Sequence, residues 1–212
     1  MDTQRTPLFI VFDGMDGTGK TTQMEILCRR LNEAGIPAIL TAEPTASPDG
    51  LALRRALSGK EPASNSRLAT LFLLDRIGHN AEIEAYLAAG KTVICDRYYY
   101  ASMAYQGAGE NFEWVADMNL HCPHVRRPDG CILLDMEPEH SMARIRAGRS
   151  AEELEIYETV AQQQKIRERF RRVTEYLRDR DLIVTVNAAG SVEEVAERIR
   201  AAYETIAGAK NS

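Results

Sequence analysis

The sequence predicts an α/β fold, a five-stranded parallel sheet with helices on both faces. Three observations lead there. Short apolar runs alternate with stretches of helical periodicity along all 212 residues. The first run feeds directly into Gly14-x-x-x-x-Gly19-Lys20-Thr21, a glycine-rich turn that opens a helical pattern. Acidic residues, namely Asp13, Glu43, Asp96 and Asp135, stand at or just past four predicted strand ends. Those ends are where ligands bind in sheets of this kind. Helix N-caps would explain one or two of these acids equally well.

Taken in order, Leu8 to Asp13 reads as a buried strand. From Lys20, the residues Met24, Leu27, Cys28 and Leu31 recur at helical spacing until Gly35 and Pro37 stop the helix. Ala38 to Thr41 is a short strand. Glu43 to Gly50, with two prolines, is loop. Leu51 to Leu57 is a short helix carrying Arg54 and Arg55, and Gly59 to Ser64 is loop again. Ser66 to Ala89 is a long helix with two stripes: Leu68, Leu71, Asp75, Gly78 and Ala81 on one, and Phe72, Arg76, His79 and Ile83 on the other. Thr92 to Asp96 is the third strand. Tyr98 to Gly109 mixes loop and helix, and Asn111 to Leu120 is helical. Gly130 to Asp135 is the fourth strand and Pro138 to Ala147 a helix. Gly148 to Glu153 breaks the pattern. Leu154 to Arg178 is a charged helix with Ile166, Phe170, Val173 and Leu177 inside. Leu182 to Val186 is the fifth strand, and Val192 to Ile206 closes the chain. No linker or repeat divides it, so residues 1–212 read as one domain.

Composition narrows the partners. With 26 Lys+Arg against 31 Asp+Glu the formal charge is −5, and no long basic stripe offers itself to nucleic acid. No apolar run reaches membrane-spanning length, and the N-terminus lacks a signal-peptide pattern. Cys28, Cys95, Cys122 and Cys131 have no paired spacing, which points to reduced, mostly buried thiols and a cytoplasmic protein. His121-Cys122-Pro123-His124 sits in a loop-like setting that does not suit zinc.

The glycine-rich turn carries chemistry. Gly14, Gly17 and Gly19 let the backbone curl so that N–H groups point inward at phosphate oxygens. The helix starting there adds its positive end, with Thr22 in its first turn. Lys20 is placed to reach the β- and γ-phosphates, and Thr21 to offer its hydroxyl to magnesium. Such a loop says nucleotide, not reaction. A switch GTPase needs a guanine-reading N-K-x-D element, which is not visible, and motor ATPases carry added modules. What the chain has instead is a second set of cations beyond the loop: Arg76, Arg97, Arg144, Arg146 and Arg149. Joining two phosphates requires cations around both, and phosphoryl transfer is mostly positioning plus charge stabilisation. The pattern suits a kinase whose acceptor is itself a phosphate.

At this point the sequence resembles the thymidylate kinase family. The matching stretches are FIVFDGMDGTGKTTQ (Phe9 to Gln23), Glu43-Pro44, LFLLDRIGH (Leu71 to His79), VICDRY (Val93 to Tyr98) and SMAYQG (Ser102 to Gly107), in the family's order. The resemblance implies phosphorylation of dTMP by ATP with magnesium, on a three-layer phosphate-loop fold with a mobile lid at about 144–156. It also implies a cytoplasmic homodimer. It gives Asp16 contact with the sugar 3′-hydroxyl, Phe72 a stacking role on thymine, and Arg76 a hydrogen bond to the thymine edge. Arg97 grips the acceptor phosphate. Asp96 helps to organise magnesium, through water. Ser102, Tyr105 and Gln106 line the thymine and deoxyribose pocket, and Tyr105 crowds the 2′ position. Glu43 belongs to the acceptor side.

Several positions depart from that family. One of its schemes places an arginine after the loop aspartate; here Gly17 stands there. That leaves Arg149, then Arg146 and Arg144, as transition-state cations supplied by the lid. Ala42 precedes the Glu-Pro pair where many relatives have arginine, and Thr45-Ala46 replaces two glycines. Arg54 is the candidate for the missing charge. Asp75 stands where asparagine is usual, and an acid at the base edge bears on which pyrimidine is preferred. Two alternatives stay open: a kinase for another pyrimidine (deoxy)nucleoside monophosphate or a deoxynucleoside, and a regulatory nucleotide-binding switch.

Overall fold

A computed structural model describes residues 6–59, 61–148 and 159–210. Five strands form one parallel sheet: β1 (Phe9–Gly14), β2 (Ala38–Ala42), β3 (Thr92–Asp96), β4 (Gly130–Asp135) and β5 (Ile183–Asn187). Their order is β2-β3-β1-β4-β5. Around them lie α1 (Lys20–Glu33), α2 (Pro48–Leu57), α3 (Asn65–Ala88), α4 (Tyr99–Tyr105), α5 (Phe112–Leu120), α6 (Pro138–Gly148), α7 (Val160–Leu177) and α8 (Val192–Lys210). A single 3₁₀ turn, Gly109–Asn111, precedes α5. The expected α/β architecture is present, and each predicted element appears with ends moved by a few residues. α2 starts at Pro48 rather than Leu51, because Ser47 caps it and Pro48 fits the first helical turn, and α8 runs on to Lys210 rather than Ile206. The expected break at 148–153 and the first turn of the expected 154–178 helix fall mostly outside the described residues.

Burial follows the strand order. All six residues of β1 are buried, and β3 and β4 on either side are buried except at their last residues. The edge strands β2 and β5 alternate. That is the expected reading for a parallel sheet covered on both faces at its centre. The core packs β1, β3 and β4 against Met24, Leu27 and Leu31 of α1, Ile166, Phe170, Val173 and Leu177 of α7, and Val195, Ile199 and Ile206 of α8. Of the two α3 stripes, Phe72, Arg76, His79 and Ile83 are buried, whereas Gly78 and Ala81 are exposed. All four cysteines are free. Cys95 and Cys131 lie inside β3 and β4, where burial pushes their thiols up; Cys28 and Cys122 are half-buried. None of the described helices is long and apolar enough to cross a membrane.

This topology puts the switch in chain direction at β1. The segment after β1 therefore emerges between the segments after β3 and β4, which is the crevice that open parallel sheets use for ligands.

Candidate active site

The loop after β1 is shaped by its glycines and held from outside. Gly14 ends β1 opposite Leu134. Gly17 has φ +74°, and a Cβ there would lie 2.5 Å from the Ser141 carbonyl oxygen and 2.8 Å from Ile145. The residue must therefore be glycine on two counts, backbone conformation and space. A larger side chain at this position would have no room. Ser141 of α6, wholly buried, donates its hydroxyl proton to the Asp16 carbonyl oxygen at 2.9 Å. Thr18 closes the loop on itself by donating to the Met15 carbonyl at 2.9 Å. Gly19 (φ +88°) precedes α1, whose first turn presents Lys20, Thr21 and Thr22. Thr21 and Thr22 are exposed and Lys20 is buried.

Lys20 Nζ donates to the carbonyls of Gly14 (3.2 Å) and Met15 (2.9 Å). Burial first, and repulsion from Arg97 second, lower its pKa. Such an ammonium gains from any anion brought to the loop.

Arg97 follows β3 in a left-handed backbone conformation, φ 66°, uncommon for a non-glycine residue. Its N–H donates to the Phe12 carbonyl at 2.9 Å, which turns the side chain across the end of β1. Nη2 donates to Asp16 Oδ1 at 2.5 Å, and the guanidinium lies 5.2 Å from the centre of the Tyr105 ring. The Tyr105 hydroxyl donates to Asp16 Oδ2 at 3.4 Å. Asp16 Oδ1 also lies 3.9 Å from Lys20 Nζ. Two cations, one from the glycine-rich loop and one from β3, therefore converge on a single carboxylate oxygen.

Arg76 is the centre of a second cluster. It is wholly buried. Nε and Nη2 donate to Glu43 Oε2 at 3.0 and 2.6 Å, Nη2 also to Ser102 Oγ at 3.2 Å, and Nη1 to Asn119 Oδ1 at 2.5 Å. Among the described residues these contacts use four of the five guanidinium N–H groups and leave one on Nη1. The other Glu43 oxygen lies 3.1 Å from His79 Nδ1, and His79 Nε2 lies 2.6 Å from Thr41 Oγ1. A carboxylate can only accept, so Nδ1 carries the proton. Phe72, one turn before Arg76, is buried on the same stripe. Gln106 is also buried, and its Oε1 has no protein partner among the described residues.

The four strand-end acids do not act alike. Asp13 has no exposed surface and accepts N–H from Gly14 and Ala101, both at 2.9 Å. Burial, against the pull of Arg97 and Lys20, pushes its carboxyl up to about 6. Glu43 stands behind Arg76. Asp135 is bound by Arg167 of α7, through Nε at 2.7 Å and Nη2 at 2.9 Å. Asp96 Oδ1 is buried with no protein partner among the described residues. The four acids thus differ in their partners. Two of them are engaged by arginines, because Arg76 and Arg167 bring matching charge to the same strand ends.

Magnesium suits what remains. Asp96 and the exposed Thr21 hydroxyl offer hard oxygen donors. Among the described residues no group of three or more His, Cys, Asp or Glu forms a metal cage.

Arg54 is exposed, and its guanidinium folds back onto the Pro44 carbonyl. Arg144 bridges two loops, donating to the carbonyls of Thr18 and Gly190, both at 3.4 Å. Arg146 is exposed, and Arg149 lies outside the described residues. Asp75 is turned towards the 45–47 loop. Its carboxylate accepts from Thr45 N–H (2.8 Å), from the Thr45 hydroxyl (2.5 Å) and from Ser47 (3.1 Å), because the polar 45–47 loop packs on that side of α3. Sequence reasoning missed Asn119 and Ser141. Each stands among other polar residues of an ordinary helix, with no spacing signal to mark it.

Comparison with known proteins places these features in a family. The family model described as thymidylate kinase matches residues 12–199. A protein of Thermococcus kodakarensis described as a probable thymidylate kinase is 38% identical over 212 residues, covering 95% of this chain and 99% of its own length. One of Methanocaldococcus jannaschii with the same description is 35% identical, covering 91% of this chain and 93% of its own length. A thymidylate kinase of Desulfotalea psychrophila is 34% identical, covering 88% and 89%.

Proposed function

Because this chain belongs to the thymidylate kinase family, we propose that it transfers the γ-phosphoryl of ATP directly and in line to dTMP, with magnesium, giving ADP and dTDP. Family membership makes the chain a kinase with nucleotide substrates. The donor, the metal and the roles of individual residues belong to the present reading.

The observation that carries it is the convergence of Lys20 and Arg97 on Asp16 Oδ1, at 3.9 and 2.5 Å. Lys20 belongs to the donor loop. Arg97 comes from β3, and its forked guanidinium suits a second phosphate. Cations suited to two phosphoryl groups then meet at one carboxylate, as joining two anions requires. The backbone of Gly14, Gly17 and Gly19, with Thr22, cradles the donor phosphates. Lys20 neutralises them and Arg97 holds the acceptor phosphate. Asp16 orients the sugar 3′-hydroxyl. Thr21 and Asp96 hold magnesium, which when bound neutralises charge on the transferring group. No residue need act as general base, because a monophosphate is already anionic.

On the acceptor side, Phe72 stacks on the base. The one remaining Arg76 N–H donates to an acceptor on its edge, the 4-oxygen of thymine, where cytosine carries a donor instead. Glu43 serves by fixing Arg76 rather than by touching the nucleotide. Ser102, Tyr105 and Gln106 line the pocket, and Tyr105 crowds the 2′ position. Arg54 releases Pro44 to meet the acceptor phosphate. Residues 1–212 act as one domain in which a lid at about 144–156 brings Arg149 to the transferring group and excludes water. Arg144, already across the loop at Thr18, and Arg146 are secondary to it. The working form is a cytoplasmic homodimer. Exposed Leu51, Leu57 and Leu74 on α2 and α3 supply apolar surface for the pairing.

The test is ADP release from ATP–magnesium with dTMP, dUMP, dCMP, UMP, CMP and thymidine. Strong preference for dTMP is expected. Preference for another monophosphate moves the error to the base pocket. Activity on thymidine alone overturns the role given to Arg97, and no acceptor at all defeats the kinase reading.

A further inference from the structure

Two consecutive residues of α3 grip opposite ends of one segment. Arg76 takes Glu43 through Nε and Nη2. Asp75, only 1% exposed, takes Thr45 and Ser47. Its carboxylate is satisfied by neutral donors: the Thr45 N–H at 2.8 Å on one oxygen, and the hydroxyls of Thr45 and Ser47 at 2.5 and 3.1 Å on the other. A buried charge held this way is costly unless every bond is kept, so the arrangement specifies the loop conformation closely. Ser47 passes the constraint on. It is the N-cap of α2, and its hydroxyl oxygen accepts the Gly50 N–H at 3.1 Å. The first turn of α2 sits directly on the loop; a Cβ on Gly50 would lie 2.2 Å from the Thr45 carbonyl oxygen. One turn later Arg54 reaches back to the Pro44 carbonyl.

We infer that Asp75 is a positioning residue for the acceptor side of the site. It clamps the 43–50 segment to α3, which keeps Glu43 behind Arg76 and fixes the start of the helix that carries Arg54. The inference rests on the kinase reading and adds to it a link between base recognition on α3 and phosphate recognition on α2. Both Asp75 oxygens are taken up by Thr45 and Ser47, and the donor loop after β1 makes no hydrogen bond to its carboxylate among the described residues. Losing the clamp therefore weakens the monophosphate and spares ATP.

The isosteric change Asp75→Asn replaces one acceptor oxygen by an N–H₂ group, which cannot accept from the loop. Loss of such a buried bond corresponds to a roughly 10- to 100-fold change in an equilibrium. The KM for dTMP is expected to rise by that factor, while the KM for ATP stays within about twofold. Thr45→Val removes one donor from the other side and should raise the KM for dTMP in the same direction. The double variant should be little worse than Asp75→Asn alone, since both break one contact. Amide exchange at Thr45 and Gly50 should quicken in both single variants. Unchanged acceptor KM in either folded variant overturns the inference. So does a matching rise in both KM values with a lowered melting temperature, which would mark general loosening. If Asp75→Asn does not fold, Thr45→Val decides alone. If the unaltered chain phosphorylates no monophosphate, the kinase reading falls and the inference with it; activity in the unaltered chain with an unaffected variant sinks the inference only.

Discussion

Asp13 carries no exposed surface, and its carboxyl is pushed from 3.8 to about 6, chiefly by burial. The folded chain therefore binds this proton more tightly than the unfolded chain. The stability contributed by the group falls as pH rises from about 4 to about 6 and is level above that. The shift amounts to about 3 kcal/mol. Asp13→Asn cannot titrate, and every other group is common to both proteins. The difference in unfolding free energy between variant and native chain should therefore move in the variant's favour by about 2.4 kcal/mol between pH 4 and pH 7. Urea denaturation at the two pH values measures it, and a difference that does not change with pH defeats the assignment. At this scale the sequence revealed the residues whose spacing encodes a function, such as Lys20 and Thr21 after the glycines. It did not reveal where a polar side chain on a helix would find its partner. Asp75 shares a helical stripe with Leu68 and Leu71, but its partners Thr45 and Ser47 lie about thirty residues earlier. Nothing local points to them.

Among elements, the turn between β1 and α1 shows how a neighbour fixes a backbone. Gly17 and Gly35 have nearly the same positive φ, +74° and +75°. A Cβ on Gly17 would meet Ser141 at 2.5 Å, whereas one on Gly35 would meet nothing within 4 Å. Gly35→Ala should cost about 1 kcal/mol, the strain of a left-handed backbone alone. Gly17→Ala must also displace α6, and should cost at least about 1–2 kcal/mol more. The midpoint of denaturation compares them directly, and equal losses would mean that α6 does not press on the loop. The motif requires glycine at 14 and 19 but leaves position 17 open, and the reason α6 forbids a side chain there was not legible. The contact joins Gly17 to Ser141 and Ile145 across more than a hundred residues, and pairing of that kind is set by the sheet order.

For the molecule as a whole, the alternation of apolar runs and helical periods was enough to predict a parallel sheet, because burial on both faces demands it. The strand order was not readable, since all five runs are similarly apolar and short. That order has a consequence for partial denaturation. β1, which launches the donor loop, lies at the centre of the sheet with β3 and β4 beside it, whereas β2, which leads into Glu43 and the 45–47 loop, is an edge strand with alternating exposure. Edge elements open at lower free energy than central ones. In urea concentrations below the main transition, the KM for dTMP should climb while the KM for ATP holds. Parallel rises would mean that the two halves of the site loosen together. Mild loss of order would then leave a protein that still takes up ATP but has lost its hold on the molecule meant to receive the phosphate. The position of one strand in the sheet thus decides which substrate is abandoned first.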